Sequence, residues 1–181
     1  IREGDELLDA ILTDGSEQIL LAARAGRCCR FEEDELRPLG RNSSGVRGIS
    51  IEEDDEVIGA ISYAKESEDA SAHSILVVSA NGFGKRSDYE EYRTTSRGAK
   101  GVKTINITDK TGPLVAIKDV TEANDLMIIT KSGLTIRMDV SEIRLAGRAT
   151  QGVKLINLKE GDSIAAVSPV AKEEDEIPTE N

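Results

Sequence analysis

The sequence predicts an all-β fold of propeller type, assembled from repeated four-stranded antiparallel blades. Three observations carry that expectation. Gly45-Val46-Arg47 recurs as Gly101-Val102-Lys103 and as Gly152-Val153-Lys154, at offsets of 56 and 51 residues. Gly26, Gly82 and Gly133 keep the same offsets, as do the basic residues Arg41, Arg97 and Arg148 ahead of each Gly-Val. Landmarks repeating every ~50 residues mark radial or stacked repeats, and four short strands per repeat is the content of a propeller blade.

Each module opens on an apolar strand: Ile19 to Ala23, Ile75 to Val78 or Leu126 to Ile129. The chain then reverses at Gly26, Asn81-Gly82 or Ser132-Gly133, where glycine accepts a positive φ. A more polar return strand follows over Arg27 to Phe31, Phe83 to Tyr89 and Leu134 to Val140. A loop rich in Gly, Arg and Ser/Thr leads to a third strand, Val46 to Ile51, Val102 to Ile107 or Val153 to Leu158. The fourth is Val57 to Ile61, Leu114 to Ile117 or Ile164 to Val167, runs that do not alternate, as in strands covered on both faces. Glycine turns interrupt every stretch of helical period.

Blades are therefore expected at residues 18–61, 74–117 and 125–170. Arg2-Glu3-Gly4-Asp5 repeats the type and order of Lys159-Glu160-Gly161-Asp162. That makes 1–12 the last strand of a preceding blade, with a connector running to residue 17. The acidic stretch 171–181, containing Pro178, is expected to be a disordered tail.

Composition narrows the function. The chain has no tryptophan and few aromatics, which disfavours a site built on stacking. No apolar run approaches the ~18 residues of a membrane span, and no signal-peptide pattern is present. Cys28 and Cys29 are adjacent and point to opposite faces of a strand, so they form no disulfide framework and suit a reducing cytoplasm. The net charge of −11 is unevenly spread. Residues 74–117 hold seven Lys/Arg against four Asp/Glu and 125–167 hold six against five, whereas 18–61 hold six against nine. Local field, not total charge, decides what a surface attracts.

The loops 40–45, 96–101 and 147–152 are the functional candidates. Their glycines expose backbone N–H groups, Ser, Thr and Gln add neutral hydrogen bonds, and Arg and Lys supply charge. That mixture suits phosphate oxygens and offers little for reading bases. Other signals are weak. Gly82-Phe83-Gly84-Lys85 lacks the first glycine and the helix of a phosphate loop, since Ser79 stands at the position that needs glycine. His73, the only histidine, has no Cys/His cluster near it in the sequence, so no metal site is expected. Tyr63, Tyr89 and Tyr92 come with no nucleophile or base, and no catalytic set is visible.

Asn81-Gly82-Phe83-Gly84-Lys85-Arg86, Tyr92-Arg93 and Arg97-Gly98-Ala99-Lys100-Gly101-Val102 together closely resemble the C-terminal domain of the bacterial DNA gyrase A protein. So do Val140-Ser141-Glu142-Ile143 and Gly147-Arg148-Ala149-Thr150-Gln151-Gly152-Val153. The resemblance covers essentially the whole chain. It implies a six-bladed β-pinwheel in which neighbouring blades exchange strands and a basic outer rim wraps duplex DNA for negative supercoiling. The glutamine-arginine-arginine-glycine-glycine-lysine-glycine hallmark of that family's first blade is absent. Arg97-Gly98-Ala99-Lys100-Gly101 is a degenerate relative, as expected of the last three blades. The homologous domain of topoisomerase IV is the nearest alternative, and the Gly-Arg-x-x-Gln-Gly-Val pattern at 147–153 favours gyrase.

The resemblance further implies a bacterial, cytoplasmic, nucleoid-associated protein acting with the rest of gyrase A and with gyrase B. ATP and Mg would be used by the holoenzyme and none by this segment, which is expected to be monomeric and non-catalytic. The expected DNA-contacting residues are Arg41, Arg47, Lys85, Arg86, Arg93, Arg97, Lys100, Lys103, Arg137, Arg148 and Lys154, all on one surface. A protein-interaction propeller, docking through its acidic patches, is the rival from another class.

Overall fold

A computed structural model describes residues 3–172. The acidic tail expected at 171–181 lies almost wholly outside the described residues. The strands, in chain order, are β1 (Gln18–Ala23), β2 (Arg27–Glu32), β3 (Val57–Tyr63), β4 (Ser74–Ser79), β5 (Phe83–Ser87), β6 (Val102–Lys103), β7 (Leu114–Val120), β8 (Asn124–Thr130), β9 (Thr135–Asp139), β10 (Val153–Lys154) and β11 (Ile164–Ala171). Single 3₁₀ turns follow β2, β5 and β9 at Glu33–Glu35, Tyr89–Glu91 and Val140–Glu142. The return strands expected to run to Tyr89 and Val140 therefore stop short, where these turns begin.

Three antiparallel sheets form, ordered β3-β1-β2-β6, β10-β5-β4-β7 and β11-β8-β9. The sheets do not coincide with the modules. The third strand of each later module leaves its own module and pairs with the preceding one: Val102 lies opposite Cys28 and Lys103 opposite Arg27. One module on, Val153 lies opposite Gly84 and Lys154 opposite Phe83. The expectation that each module folds as its own four-stranded sheet is therefore corrected. Strands β3, β7 and β11 pack against one another at the inner side, and β6 and β10 form the outer edges.

Two corrections follow from the same exchange. Residues 46–51 of the first module form no strand, and neither do residues 3–12. A strand needs a paired edge for its backbone groups, and no edge meets either segment among the described residues. Leu7, Leu8, Ile11 and Leu12 consequently stand exposed.

The core lies between sheets. Leu20, Ala22, Cys28 and Tyr63 of the first module pack with Ile75, Val77, Tyr89 and Tyr92 of the second. Leu76 and Val78 face the other way, onto Leu126, Ile128, Val140 and Ile143. β4 is thus covered on both faces, which is why Ile75-Leu76-Val77-Val78 shows no alternation.

Buried arginines lock successive modules. Arg30 on β2 donates to the carbonyls of Tyr89 and Tyr92 in the next module's turn and to the Gln18 side chain. It also lies over the stacked rings of Tyr63 and Tyr89. Arg86 on β5 repeats the arrangement, its Nε donating to Ile143 O at 2.6 Å. The turn so held sends the chain across the preceding sheet, where Thr95 N donates to Arg30 O and Ala146 N to Arg86 O.

The repeated glycine of each Gly-Val is required twice over. Gly101 and Gly152 have φ of +68° and +76°, and a Cβ there would lie 2.2 Å from Cys28 O and 2.4 Å from Gly84 O. Gly45 has φ of +74° with nothing within 4 Å. Gly45→Ala should therefore cost only the left-handed backbone penalty of about 1–2 kcal/mol. Gly152→Ala should add displacement of β10 from β5. Urea midpoints are expected to fall clearly further for Gly152→Ala.

Candidate nucleic-acid interface

The three Gly/Arg loops lie where strands pass between modules. The Arg97 guanidinium donates from Nη1 to Arg47 O at 2.7 Å, and its backbone N–H donates to Glu35 Oε2 at 2.8 Å. Arg148 donates from Nη1 to Lys103 O and from Nε to Glu91 O, both at 2.9 Å. Each loop arginine thus clasps the carbonyl of the basic residue after the preceding module's Gly-Val. Ser50 Oγ donates to Gly98 O at 2.7 Å, and Asn106 N to Thr150 O at 3.0 Å, tying the same loops down.

The predicted cations divide into two groups. Lys85 is 1% exposed and Arg86 4% exposed, so neither reaches the common outer surface expected of them. All five residues of β5 are buried, with segments of the next module passing beside Lys85 and Arg86. Lys85 Nζ donates to Ser87 Oγ at 2.8 Å, and Arg86 Nη2 meets Glu122 at 3.0 Å. Arg97 and Arg148 are half-buried, with guanidinium groups committed to backbone carbonyls.

The remaining cations are exposed: Arg41, Arg47, Arg93, Lys100, Lys103, Arg137 and Lys154. Lys100 pairs loosely with Glu52 at 3.4 Å, a solvent-exposed contact of little energy. Arg137 bonds Asp125 at 2.6 Å and lies on β9, an edge strand of the third sheet.

The structure adds two cations that the sequence pattern did not single out. Arg27 donates to Lys100 O and Gly101 O and sits opposite Lys103, so three cations meet at the outer edge of the first sheet. At the outer edge of the second, Lys110 and Lys154 both lie over the Phe83 ring, at 5.3 and 5.9 Å. The repeat pattern hid Arg27 because Phe83 and Leu134 hold its place in the other modules. The clasps connect the two groups, since Arg148 bridges to Lys103 and Arg97 to Arg47. Among the described residues no group of three or more His, Cys, Asp or Glu is placed to hold a metal ion. No helix of the described residues is long and apolar enough to cross a membrane.

Radially packed antiparallel sheets that pass strands to the sheet before them, edged with cations, define a propeller-type repeat domain. The sequence matches the family described as DNA gyrase C-terminal domain, beta-propeller, over residues 17–63, 73–121 and 124–171, and the chain belongs to that family. It is 45% identical over 174 residues to the DNA gyrase A protein of Staphylococcus epidermidis, and 44% over 176 residues to that of Staphylococcus aureus. These alignments cover 96% and 97% of this chain and 19% of each relative, so the chain spans about a fifth of their length. Two solved structures share the fold. A DNA gyrase A C-terminal domain has a TM-score of 0.76 at 24% identity, over 85% of this chain and 50% of that one. A DNA topoisomerase IV C-terminal domain has a TM-score of 0.82 at 21% identity, over 90% and 49%.

The buried cations should act on stability. Arg86→Ala removes a charged donor from Ile143 O and should cost about 1.5–3 kcal/mol in urea unfolding. Burial lowers the Lys85 ammonium to about 8, with Glu91 opposing the shift and Arg148 adding to it. Between that value and the ordinary 10.5, the unfolded chain holds a proton the folded chain has shed. Stability contributed by Lys85 therefore rises with pH across this window. The urea midpoint should climb there, and the climb should shrink in Lys85→Met.

Proposed function

We propose that the chain binds duplex DNA along its outer edge through the phosphate backbone, without reading sequence. The observation that carries this reading is the succession of exposed cations along consecutive outer edges: Arg27, Lys100 and Lys103 at the first sheet, then Lys110 and Lys154 at the second. Arg47 and Arg41 extend the line on one side. Glycine-exposed N–H groups and hydroxyls between them suit phosphate oxygens, and no base-reading element accompanies them. DNA following such a line would offset its bending cost by meeting cations repeatedly. Arg97 and Arg148 contribute by holding the line together. In a longer gyrase A protein, acting with gyrase B in the bacterial cytoplasm, such wrapping would serve negative supercoiling.

Binding should be nearly indifferent to sequence and steeply dependent on salt. With roughly 4–8 phosphates engaged, log K against log salt should slope about −4 to −7; a flat dependence or preference for one short site would contradict backbone binding. Lys103→Ala with Lys154→Ala should weaken binding by about 1–3 kcal/mol at an unchanged melting temperature, the scale of the charge-assisted hydrogen bonds removed. Lys85→Met should leave DNA affinity at neutral pH unaltered.

A further inference from the structure

The two joints between modules share one backbone plan, yet their loops differ in which hydrogen-bond donors are left open. In the loop 96–101 the donors are taken. Arg97 N donates to Glu35 Oε2 and Gly98 N to Gly48 O, both at 2.8 Å. The Lys100 ammonium meets Glu52 Oε1 at 3.4 Å. In the loop 147–152 the matching positions are open. Arg148 N and Ala149 N meet no acceptor among the described residues, and Ala149 is exposed. Gln151 stands in the place of Lys100 and donates to the Thr108 hydroxyl at 3.0 Å, a neutral contact. Glu91 stands in the place of Glu35, but its carboxylate accepts no hydrogen bond among the described residues.

The turns that border the two outer edges differ in the same sense. At the second sheet the turn is Thr108-Asp109-Lys110-Thr111-Gly112, one carboxylate against one ammonium, with Lys110 over Phe83. At the first sheet it is Glu52-Glu53-Asp54-Asp55-Glu56, five carboxylates in a row. Glu56 pairs with Arg24 at 2.8 Å and Asp55 accepts from Ala25 N at 2.9 Å. Glu53 and Asp54 are exposed and unpaired among the described residues, beside the Glu52 that meets Lys100.

Carboxylate and phosphate oxygens compete for the same donors, because both are anionic acceptors of charge-assisted hydrogen bonds. One exposed ion pair is worth little, whereas a run of carboxylates sets the local field as a whole. Resting on the duplex-binding reading above, we propose that DNA phosphates favour the second outer edge, at the loop 147–152 with Lys110 and Lys154, while Glu35 and Glu52 occupy the loop 96–101 as internal substitutes for phosphate. DNA must displace both carboxylates to reach Arg97 N and Lys100. The two edges are therefore unequal in affinity although the repeat makes them alike in backbone.

Equilibrium titration with a mixed-sequence duplex tests this. Glu35→Gln with Glu52→Gln keeps the size of both side chains and removes their charge. The pair should tighten binding about three- to tenfold at low salt, and less as salt screens the contacts. Adding Lys100→Ala should remove most of that gain. Glu66→Gln with Glu68→Gln makes the same change of net charge in the connector between β3 and β4, and should alter affinity by less than about twofold. Equal tightening by the two pairs, or none by the first where the native chain binds duplex, would overturn the proposal. Inorganic triphosphate, followed by amide NMR without DNA, reports on the loops independently. It should shift the Arg148 and Ala149 amides in the native chain, and those of Arg97 and Lys100 only once Glu35 and Glu52 are neutralised. Equal shifts at both loops of the native chain, or none at either, would also overturn it. Failure of the native chain to bind duplex at all would remove the duplex reading, with triphosphate still deciding whether the two carboxylates occupy the first loop.

Discussion

The structure depends on an arginine that is buried on one module and bonded to the next. Arg30 and Arg86 give up water for the carbonyls of a 3₁₀ turn, a side-chain oxygen and, for Arg30, two tyrosine faces. A guanidinium removed from solvent must find such partners or cost several kcal/mol. The carbonyls come from the following module, while Gln18 and Tyr63 belong to the arginine's own. Each module is therefore incomplete alone, and the order of modules is built into the chemistry of β2 and β5. Tyr89 shows how closely the parts interlock: its ring stacks on Tyr63, its hydroxyl donates to Asp119 at 2.7 Å, and burial raises its pKa.

From that grip the outer edge follows. The turn held by the arginine directs the chain over the preceding sheet, where Gly101 or Gly152 passes against backbone and a two-residue strand is added. Lys103 and Lys154 are displayed on those strands, and the loop arginines ahead of them are consumed in the crossing. One repeat motif thus serves both purposes: the arginine fastens while the lysine faces solvent. These exposed cations stand on a chain of net acidic charge, some of whose carboxylates lie in turns, as at Asp162. There, hydrogen bonds led by Ser132 lower the carboxyl to about 2.

Much of the fold was legible in the sequence. The step of the glycines marked the modules, the apolar run Ile75 to Val78 marked a strand, and Asn81-Gly82 marked a hairpin. Double coverage, expected of the fourth strands, belongs instead to Ser74–Ser79, since Val57–Tyr63 and Ile164–Ala171 are partly exposed. The same spacing singled out the loops at 96–101 and 147–152, and the structure places Gly101 and Gly152 there against a neighbouring backbone, where a left-handed φ tolerates only glycine. Val46 to Ile51 resembles a strand through its kinship with Val102 and Val153, and it is none. Kinship records what a segment can pair with, while pairing itself requires an edge within reach.

The sequence by itself determined the repeat, the strand content and the family, because these rest on local pattern and on the side chains of short motifs. Tertiary structure alone decided which cations face solvent. Lys85 and Arg86 lie side by side in a strand as basic as any loop, yet both are enclosed, Lys85 beside the next module's crossing segment at Ala146, Thr150 and Val153 and Arg86 against Ile143 of its turn. Arg27 is held at the outer edge by Lys100 and Gly101 of the next module, and Lys110 by the ring of Phe83 across a hairpin and a loop. Burial is a property of what packs against a residue, and in a chain that passes its strands backward those partners are far away in sequence.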